Sequence, residues 1–334
     1  MRSKIILIVI FVLASSVVYG DDEGKSEQSE VYQLGEISVS PGRFSIGESS
    51  PSLYIIPKSQ MDKLPLIDND IYRVVQNLPG VVSDDFSARF SLRGGDRNEI
   101  TVRLDGMELF DPYHLQDFGG AISIIDLGIV RHADLFTGGF PAEYGDAMSG
   151  ILDITSGGEV IDKIKGNAGI DLINASMIIN APVFNSSLLT SIRTGYIDLL
   201  MGLMQSDEIF KPKYYDIYNK FTRNISPSDL LSVYMLYAGD SNLIDRIGLD
   251  DDIESSYKNG MIWGRWNHLI SDKSYWNSYV FFGKTNRDKK EGIDGKDIRS
   301  ASYFGLKDEI SYGISDNLTI KSGFRWRFAT ADYD

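Results

Sequence analysis

The sequence contains no cysteine. Disulfide frameworks, thiolate zinc sites, iron–sulfur clusters and cysteine nucleophiles are excluded together. Histidine is almost as scarce. His114, His132 and His268 lie far apart, so no histidine-rich metal site and no cofactor is expected. Basic charge is in deficit: 33 Lys+Arg stand against 47 Asp+Glu, a net charge of −14. Nucleic acid is therefore not an expected partner, because phosphate binding needs a basic surface. After the N-terminus no long apolar run occurs, so no helix is expected to span a membrane.

What is present begins with an export signal. Arg2 and Lys4 precede a nearly unbroken apolar run from Ile5 to Val18. Val18-Tyr19-Gly20 fits the small-x-small cleavage rule, so residues 1–20 read as a signal peptide and the mature chain starts near Asp21. The run is shorter than the ~20 residues of a spanning helix. Residues 21–58 form a flexible N-terminal segment, acidic at first (DDEGKSEQSEV), then carrying the alternating piece Glu36-Ile37-Ser38-Val39-Ser40.

Residues 59–160 read as a small α/β domain. Asp68 is placed to cap a helix in which Ile71, Val74, Val75 and Leu78 share a face, and Pro79-Gly80 stops it. Glu99 to Leu104 alternates and ends at Asp105-Gly106, a strong hairpin signal. Further strands are predicted near 127–135 and 150–155, on either side of Gly138-Gly139 and Tyr144-Gly145-Asp146.

From 161 to 334 the texture is strand after strand. The spacing predicts strands near 165–173, 175–184, 187–198, 213–225, 229–240, 256–269, 274–287, 298–313 and 318–333. In 213–223, Tyr215, Ile217 and Phe221 oppose Tyr214, Asp216, Tyr218, Lys220 and Thr222. In 318–328, Phe324, Trp326 and Phe328 oppose Lys321, Arg325 and Arg327. Asp308 breaks the pattern, standing among Phe304, Leu306, Ile310 and Tyr312. Connectors at 185–186, 226–228, 270–273 and 314–317 are short; those at 199–212, 241–255 and 288–297 are long. Alternate connectors of an antiparallel meander lie at the same end, so one end has tight turns and the other long loops, as in an outer-membrane β-barrel. A soluble β-sandwich also has alternating strands. Strand length and the aromatics Trp263, Trp266, Tyr275 and Trp276 near strand ends favour the barrel, with an interfacial girdle.

Residues 78–115 resemble the plug of TonB-dependent outer-membrane receptors. The resemblance is carried by Leu78-Pro79-Gly80-Val81, Leu92-Arg93-Gly94-Gly95 and Leu104-Asp105-Gly106. A second set follows, from Ala133 through Gly138-Gly139-Phe140-Pro141-Ala142-Glu143-Tyr144-Gly145 to Gly150-Ile151-Leu152-Asp153-Ile154. The form GGFPAEYG is similar to receptors of the Bacteroidota type. The resemblance implies a plug followed by an antiparallel transmembrane β-barrel. That barrel is incomplete here, with about nine strands of the 22 such receptors resemble, so the chain reads as the N-terminal part of a longer protein or a truncated gene product. It also implies energised uptake of a scarce bulky solute of the ferric siderophore, cobalamin or glycan class across the outer membrane of a Gram-negative bacterium. Partners would be TonB in the periplasm, outer-membrane lipid and an unknown small-molecule or glycan ligand.

Within that resemblance Glu36, Ile37, Ser38, Val39 and Ser40 form the candidate TonB box, an extended segment able to add to a partner's sheet edge. Arg93 is expected to be buried between plug and wall against a carboxylate. Asp84, Asp85, Asp96 and Glu99 are candidate plug partners for Arg325 and Arg327. Tyr113 and His114 are candidate ligand contacts. A hydrolytic dyad from Asp111, His114 and Asp117 is set aside in favour of a plug-apex loop, and no enzymatic activity is expected. The alternative to energised uptake is a passive porin or an adhesin, which needs neither plug nor coupling segment.

Overall fold

The computed structural model describes residues 52–64, 66, 69–84, 87–199, 208–246, 253–292, 295–315 and 318–333. The signal peptide, the candidate TonB box, Asp68 and Asp85 lie outside these residues.

The first part is a small α/β unit built from β1 (Leu53–Pro57), α1 (Lys58–Met61), α2 (Ile71–Val75), β2 (Val81–Ser83), β3 (Phe90–Leu92), β4 (Ile100–Leu104), β5 (Met107–Glu108), β6 (Tyr113–His114), β7 (Ile122–Ser123), β8 (Val130–Phe136) and β9 (Gly150–Ser156). Its main sheet runs β1-β8-β9-β4-β5, with β1 at an edge and the β4–β9 pair parallel. β2–β3 and β6–β7 are separate two-stranded pieces. Ile71, Tyr72, Val74 and Val75 of α2 are buried in one core with Leu104, Leu135, Leu152 and Ile154 of the sheet.

The observed cap of α2 is Asp70, whose side chain accepts from the Tyr72 N–H at 2.8 Å. It is also held by the Ser123 N–H at 2.8 Å, so one carboxylate ties the helix start to β7. The hairpin between β4 and β5 turns on Asp105 (φ 49°) and Gly106 (φ 86°), both left-handed as a two-residue primed turn requires.

The second part is one antiparallel sheet: β10 (Lys165–Ile170), β11 (Asn174–Val183), β12 (Ser186–Gly195), β13 (Glu208–Phe210), β14 (Lys213–Ser226), β15 (Asp229–Arg246), β16 (Ile253–Ser271), β17 (Ser274–Glu291), β18 (Gly295–Ser315) and β19 (Leu318–Tyr333). Strands pair in chain order from β10 to β19, except that short β13 pairs β15 beside the main path. All nine expected strands are present.

The tight turns hold: Val183 pairs Ser186, Ser226 pairs Asp229, and Ser271 pairs Ser274. Two of the three long connectors, at 241–255 and 288–297, are paired strand over their described residues apart from the turn at Gly292. β15 continues to Arg246 and β16 begins at Ile253, while β17 continues to Glu291 and β18 begins at Gly295. A ladder satisfies backbone groups whatever the side chains. Where both faces are polar the alternation that marks a strand fades, and the sequence there reads as loop.

The aromatics split between the two faces. Trp266 and Trp276 lie outward with Ile262, Val280 and Phe282. Trp263 faces the lumen, 1% exposed and stacked on Tyr234 with centroids 4.8 Å apart. Tyr275 faces inward toward Lys307 and Glu309 across a cleft of about 560 Å³. The expected girdle therefore keeps only half of its four members; the other two fill the barrel. No helix among the described residues is long and apolar enough to cross a membrane.

Candidate functional site: the plug against the wall

The alternation of β12, β14 and β15 sends one set of side chains inward, where the plug is. On β14 that set is Tyr214, Asp216, Tyr218 and Lys220, all buried. On β12 it includes Ser191 and Arg193, and on β15 Tyr234 and Asp240. These residues meet the plug in two networks.

The first network centres on His114 of β6. Its ring, 1% exposed, lies between two wall carboxylates. Nε2 is 2.5 Å from Asp216 Oδ1, and Nδ1 is 3.3 Å from Asp240 Oδ2. The Leu115 N–H donates to the same Asp240 oxygen at 2.9 Å. Arg193, fully buried, donates to Asp216 Oδ2 at 2.6 Å and to the Ser123 carbonyl at 2.5 Å. The Tyr214 ring packs on the imidazole, centroids 4.8 Å apart. Gly195 makes this possible: a Cβ there would stand 1.9 Å from Tyr214 Cε1 on the paired strand. Burial alone would lower the imidazole pKa. The carboxylates of Asp216 and Asp240 outweigh it and hold His114 above its ordinary value.

The second network centres on Asp105, in the turn after β4. Its carboxylate accepts from the Tyr218 hydroxyl at 2.6 Å and the Ser156 N–H at 3.1 Å. Lys220, 1% exposed, lies 3.9 Å from it and donates to the Ser156 carbonyl at 3.4 Å. Gly106 fits beneath the barrel wall, where a Cβ would come within 2.8 Å of the Tyr279 hydroxyl. The Asp105-Gly106 turn is thus a seat for the plug as well as a hairpin.

Other expected residues fall elsewhere. Arg93 is exposed, not buried; its backbone is left-handed (φ 49°), which turns the side chain out beside Gly80 and Gly138. Gly94 and Gly95 complete that turn. Gly138, Gly139, Tyr144 and Gly145 lie between β8 and β9, where Tyr144 donates to Asp153 at 3.1 Å and receives the Arg103 guanidinium over its ring at 4.7 Å.

Arg325 and Arg327 do face inward, but their partners differ from those expected. Arg325 pairs with Glu108 at 3.0 Å and Asp146 at 3.1 Å, and Arg327 reaches Glu108 at 3.5 Å. The expected acids are taken inside the plug: Asp84 pairs with Arg97, Asp96 caps the turn at Arg97–Glu99, and Glu99 meets Ser149.

Tyr113 and His114 both border a cleft of about 300 Å³ at the long-hairpin end, with Tyr257, Arg287 and Arg299 on the wall side. His114 contributes little surface there, since both ring nitrogens are engaged. Tyr113 keeps an open edge under the Arg89 guanidinium, 4.9 Å from its ring, and burial pushes its phenol up to about 12. Asp117 accepts from Tyr257 at 2.8 Å, a wall contact and no part of a dyad.

Sequence reasoning missed Arg193, Asp216, Lys220 and Asp240 as functional residues. The signal was present, because Asp216 and Lys220 sit on one face of an alternating strand whose other face is apolar.

Residues 45–151 match the family model for the TonB-dependent receptor plug domain. No curated protein matches the sequence. Among solved structures, the chain is similar to the siderophore receptor PirA from Pseudomonas aeruginosa at 14% identity and TM-score 0.63, covering 86% of this chain and 49% of that one. It is similar to the outer membrane transporter YddB from Escherichia coli at 11% identity and TM-score 0.64, covering 84% and 48%. It is also similar to the ferric enterobactin receptor PfeA of Pseudomonas aeruginosa at 15% identity and TM-score 0.62, covering 84% and 50%. At these identities the likeness is one of fold, and the chain spans about half the length of the receptors it matches. Residues 45–151 are thus matched as a TonB-dependent receptor plug domain, and the chain as a whole shares the plug-then-strands fold of the receptors above.

Proposed function

We propose that the protein serves energised uptake of a scarce, bulky solute through the outer membrane of a Gram-negative bacterium. The observation that carries this reading is the plug's seating: buried charges of β12, β14 and β15 hold it inside the curved sheet through His114 and Asp105. A lumen filled this way is closed to passive diffusion, which counts against a porin. Passage then requires work on the plug, and Glu36–Ser40 is the proposed point of attachment for TonB, by strand addition. The proposed solute classes are ferric siderophore, cobalamin and glycan, and haem is added as a further probe. The cleft beside Tyr113 is the proposed contact on the plug side. No bond-making chemistry is needed, and the reading is not enzymatic.

The test uses the full-length receptor in a host lacking its own equivalents. Ile37→Pro and Val39→Pro each remove a backbone donor and a regular strand conformation. Radio-iron-loaded siderophores, haem, cyanocobalamin and oligosaccharides are screened for cell binding and for uptake. The expected result is binding retained and uptake lost for one of these probes. Uptake unchanged in both variants, or in a host without TonB, returns the protein to the porin or adhesin class.

A further inference from the structure

The two edges of the plug sheet are not alike. At one edge β5 is only 2 residues long and lies against the wall, where Arg325 pairs with Glu108 at 3.0 Å and the adjoining Gly106 sits under Tyr279. At the other edge β1 reads LYIIP and pairs with β8 alone. Leu53 to Ile56 carries no charge, and its ladder runs without a bulge. An apolar edge of this kind is a template for another strand.

Hydrogen bonding fixes which backbone groups that edge offers. The Thr137 N–H donates to the Ser52 carbonyl at 2.7 Å, in register with the β1–β8 ladder. Bonded and non-bonded pairs alternate along an antiparallel ladder. Ser52, Tyr54 and Ile56 therefore turn their backbone groups toward β8, and Leu53, Ile55 and Pro57 turn theirs away. Pro57, which has no N–H to offer, falls in the outward set, where an edge tolerates proline. Among the described residues, no strand and no turn hydrogen bond meets the outward groups of Leu53 and Ile55. The side chains agree. Ile56 points into the plug core, 4% exposed. On the opposite face Leu53 packs beside Phe136, Tyr144 and Ile151, while Ile55 is 53% exposed.

The chain supplies a strand of matching pattern close by. Glu36–Ser40 alternates Ile37 and Val39 with serine. Laid antiparallel, with Val39 opposite Leu53 and Ile37 opposite Ile55, it leaves residues 41–51 as the connection, which opens on Pro41-Gly42. That connection is shorter than the length at which loops become uncommon.

We infer that Glu36–Ser40 rests on the free edge of β1 as an added antiparallel strand, Val39 opposite Leu53 and Ile37 opposite Ile55, and that TonB draws it off. Leu53 and Ile55 each exchange two backbone hydrogen bonds with the residue opposite, and Ile37 covers Ile55. So few bonds hold the segment without fixing it, and a partner offering a longer sheet edge displaces it. The release by TonB rests on the energised-uptake reading above; the docking does not.

The absence of native cysteine makes cross-linking the test. In the full-length receptor, Ile37→Cys with Ile55→Cys, and Val39→Cys with Leu53→Cys, put the thiols on opposed residues, whose Cα atoms at about 5.5 Å are within disulfide reach. Ser38→Cys with either Ile55→Cys or Leu53→Cys sends the thiols to opposite faces and is the control. Outer membranes are oxidised mildly, and the disulfide-linked peptides are read by mass spectrometry. The expected result is cross-linking of both opposed pairs several-fold above the control, and a several-fold fall when the periplasmic domain of TonB is added in excess before oxidation. Heat-modifiable gel migration reports folding, and if one pair does not fold the other reads the same register. No cross-linking above the control in the folded receptor overturns the docking and leaves the energised-uptake reading intact. Cross-linking undiminished while the TonB domain is captured by the receptor overturns the release alone. Cross-linking undiminished with no TonB domain captured overturns the release and the energised-uptake reading together, and makes 36–40 a fixed strand of the plug.

Discussion

Against β12, β14 and β15 the plug buries its charges. Against β19, the end strand of the described sheet, they stay exposed. Arg193 is fully buried between Asp216 and the Ser123 carbonyl, whereas the side chains of Arg325 and Arg327 keep 31% and 36% of their surface while pairing with Glu108. The strand rule is the same in both regions, since alternate residues face the plug. What differs is the cover: β14 has a paired strand on each side, whereas β19 ends the described sheet and is exposed along its whole length, so the effective dielectric there is higher. The same arginine–carboxylate chemistry is a structural fastener at one stretch of wall and a screened surface contact at the other.

The largest effect should come from breaking the buried side. Arg193→Met leaves Asp216 with only His114 and leaves the Ser123 carbonyl without its donor. We expect a loss of ~3–5 kcal/mol in plug seating, the scale for removing one partner of a buried pair. Hydrogen exchange of the plug amides in the full-length receptor measures it; unchanged protection of β6 and β7 would show that the network is incidental.

Next is pH. His114 gains its carboxylate partners on folding, and its pKa is raised. Its contribution is therefore complete below the unfolded value of ~6.5 and fades as pH rises through the raised folded value. Plug protection should fall with rising alkalinity in the native protein, and His114→Asn should flatten that dependence. A fall of the same size in the variant would assign it to another group.

Arg325→Gln probes the exposed side, where the expected change is only about 0–1 kcal/mol. A loss as large as that of Arg193→Met would erase the contrast between the two regions. Spin labels at 324–328 carry the smallest energetic effect and sharpen the geometry. A lipid-soluble quencher should act most at 324, 326 and 328 and least at 325 and 327; the opposite phase would reverse the facing of β19.

The sheet was legible because its cause is local. The two-residue period of β14 and β19 needs only the pleat and one apolar surround, and the Asp105-Gly106 turn needs only two left-handed residues. The ends of β15–β18 were not legible, because past the apolar band nothing in the side chains distinguishes a paired strand from a loop. The site was half legible for another reason. Asp216 and Lys220 could be assigned to the inner face, yet their partners lie about a hundred residues away in the chain. Local pattern says that a charge points inward, and only the docked plug says whether His114, Asp105 or Glu108 receives it. Arg93 and His114 changed places on the same account: the residue expected in the wall is exposed, and the one expected at the ligand is locked into the wall.

The edge position of β1 has a mechanical consequence. It joins the plug sheet through β8 alone, from Leu53↔Phe136 to Pro57↔His132. Tension arriving from the chain before Leu53 meets this strand ahead of any interior one. Drawn away sideways, it would peel one residue pair at a time, each resisting with roughly the ~1 kcal/mol of a net hydrogen bond. Drawn lengthwise, all five pairs would bear the load together. Full release would lengthen the tether by about 17 Å at the rise of an extended strand, while the parallel β4–β9 pair and the Asp105 seat stayed in place. The direction of the pull therefore decides whether the plug yields by a ratchet of small slips or by a single rupture.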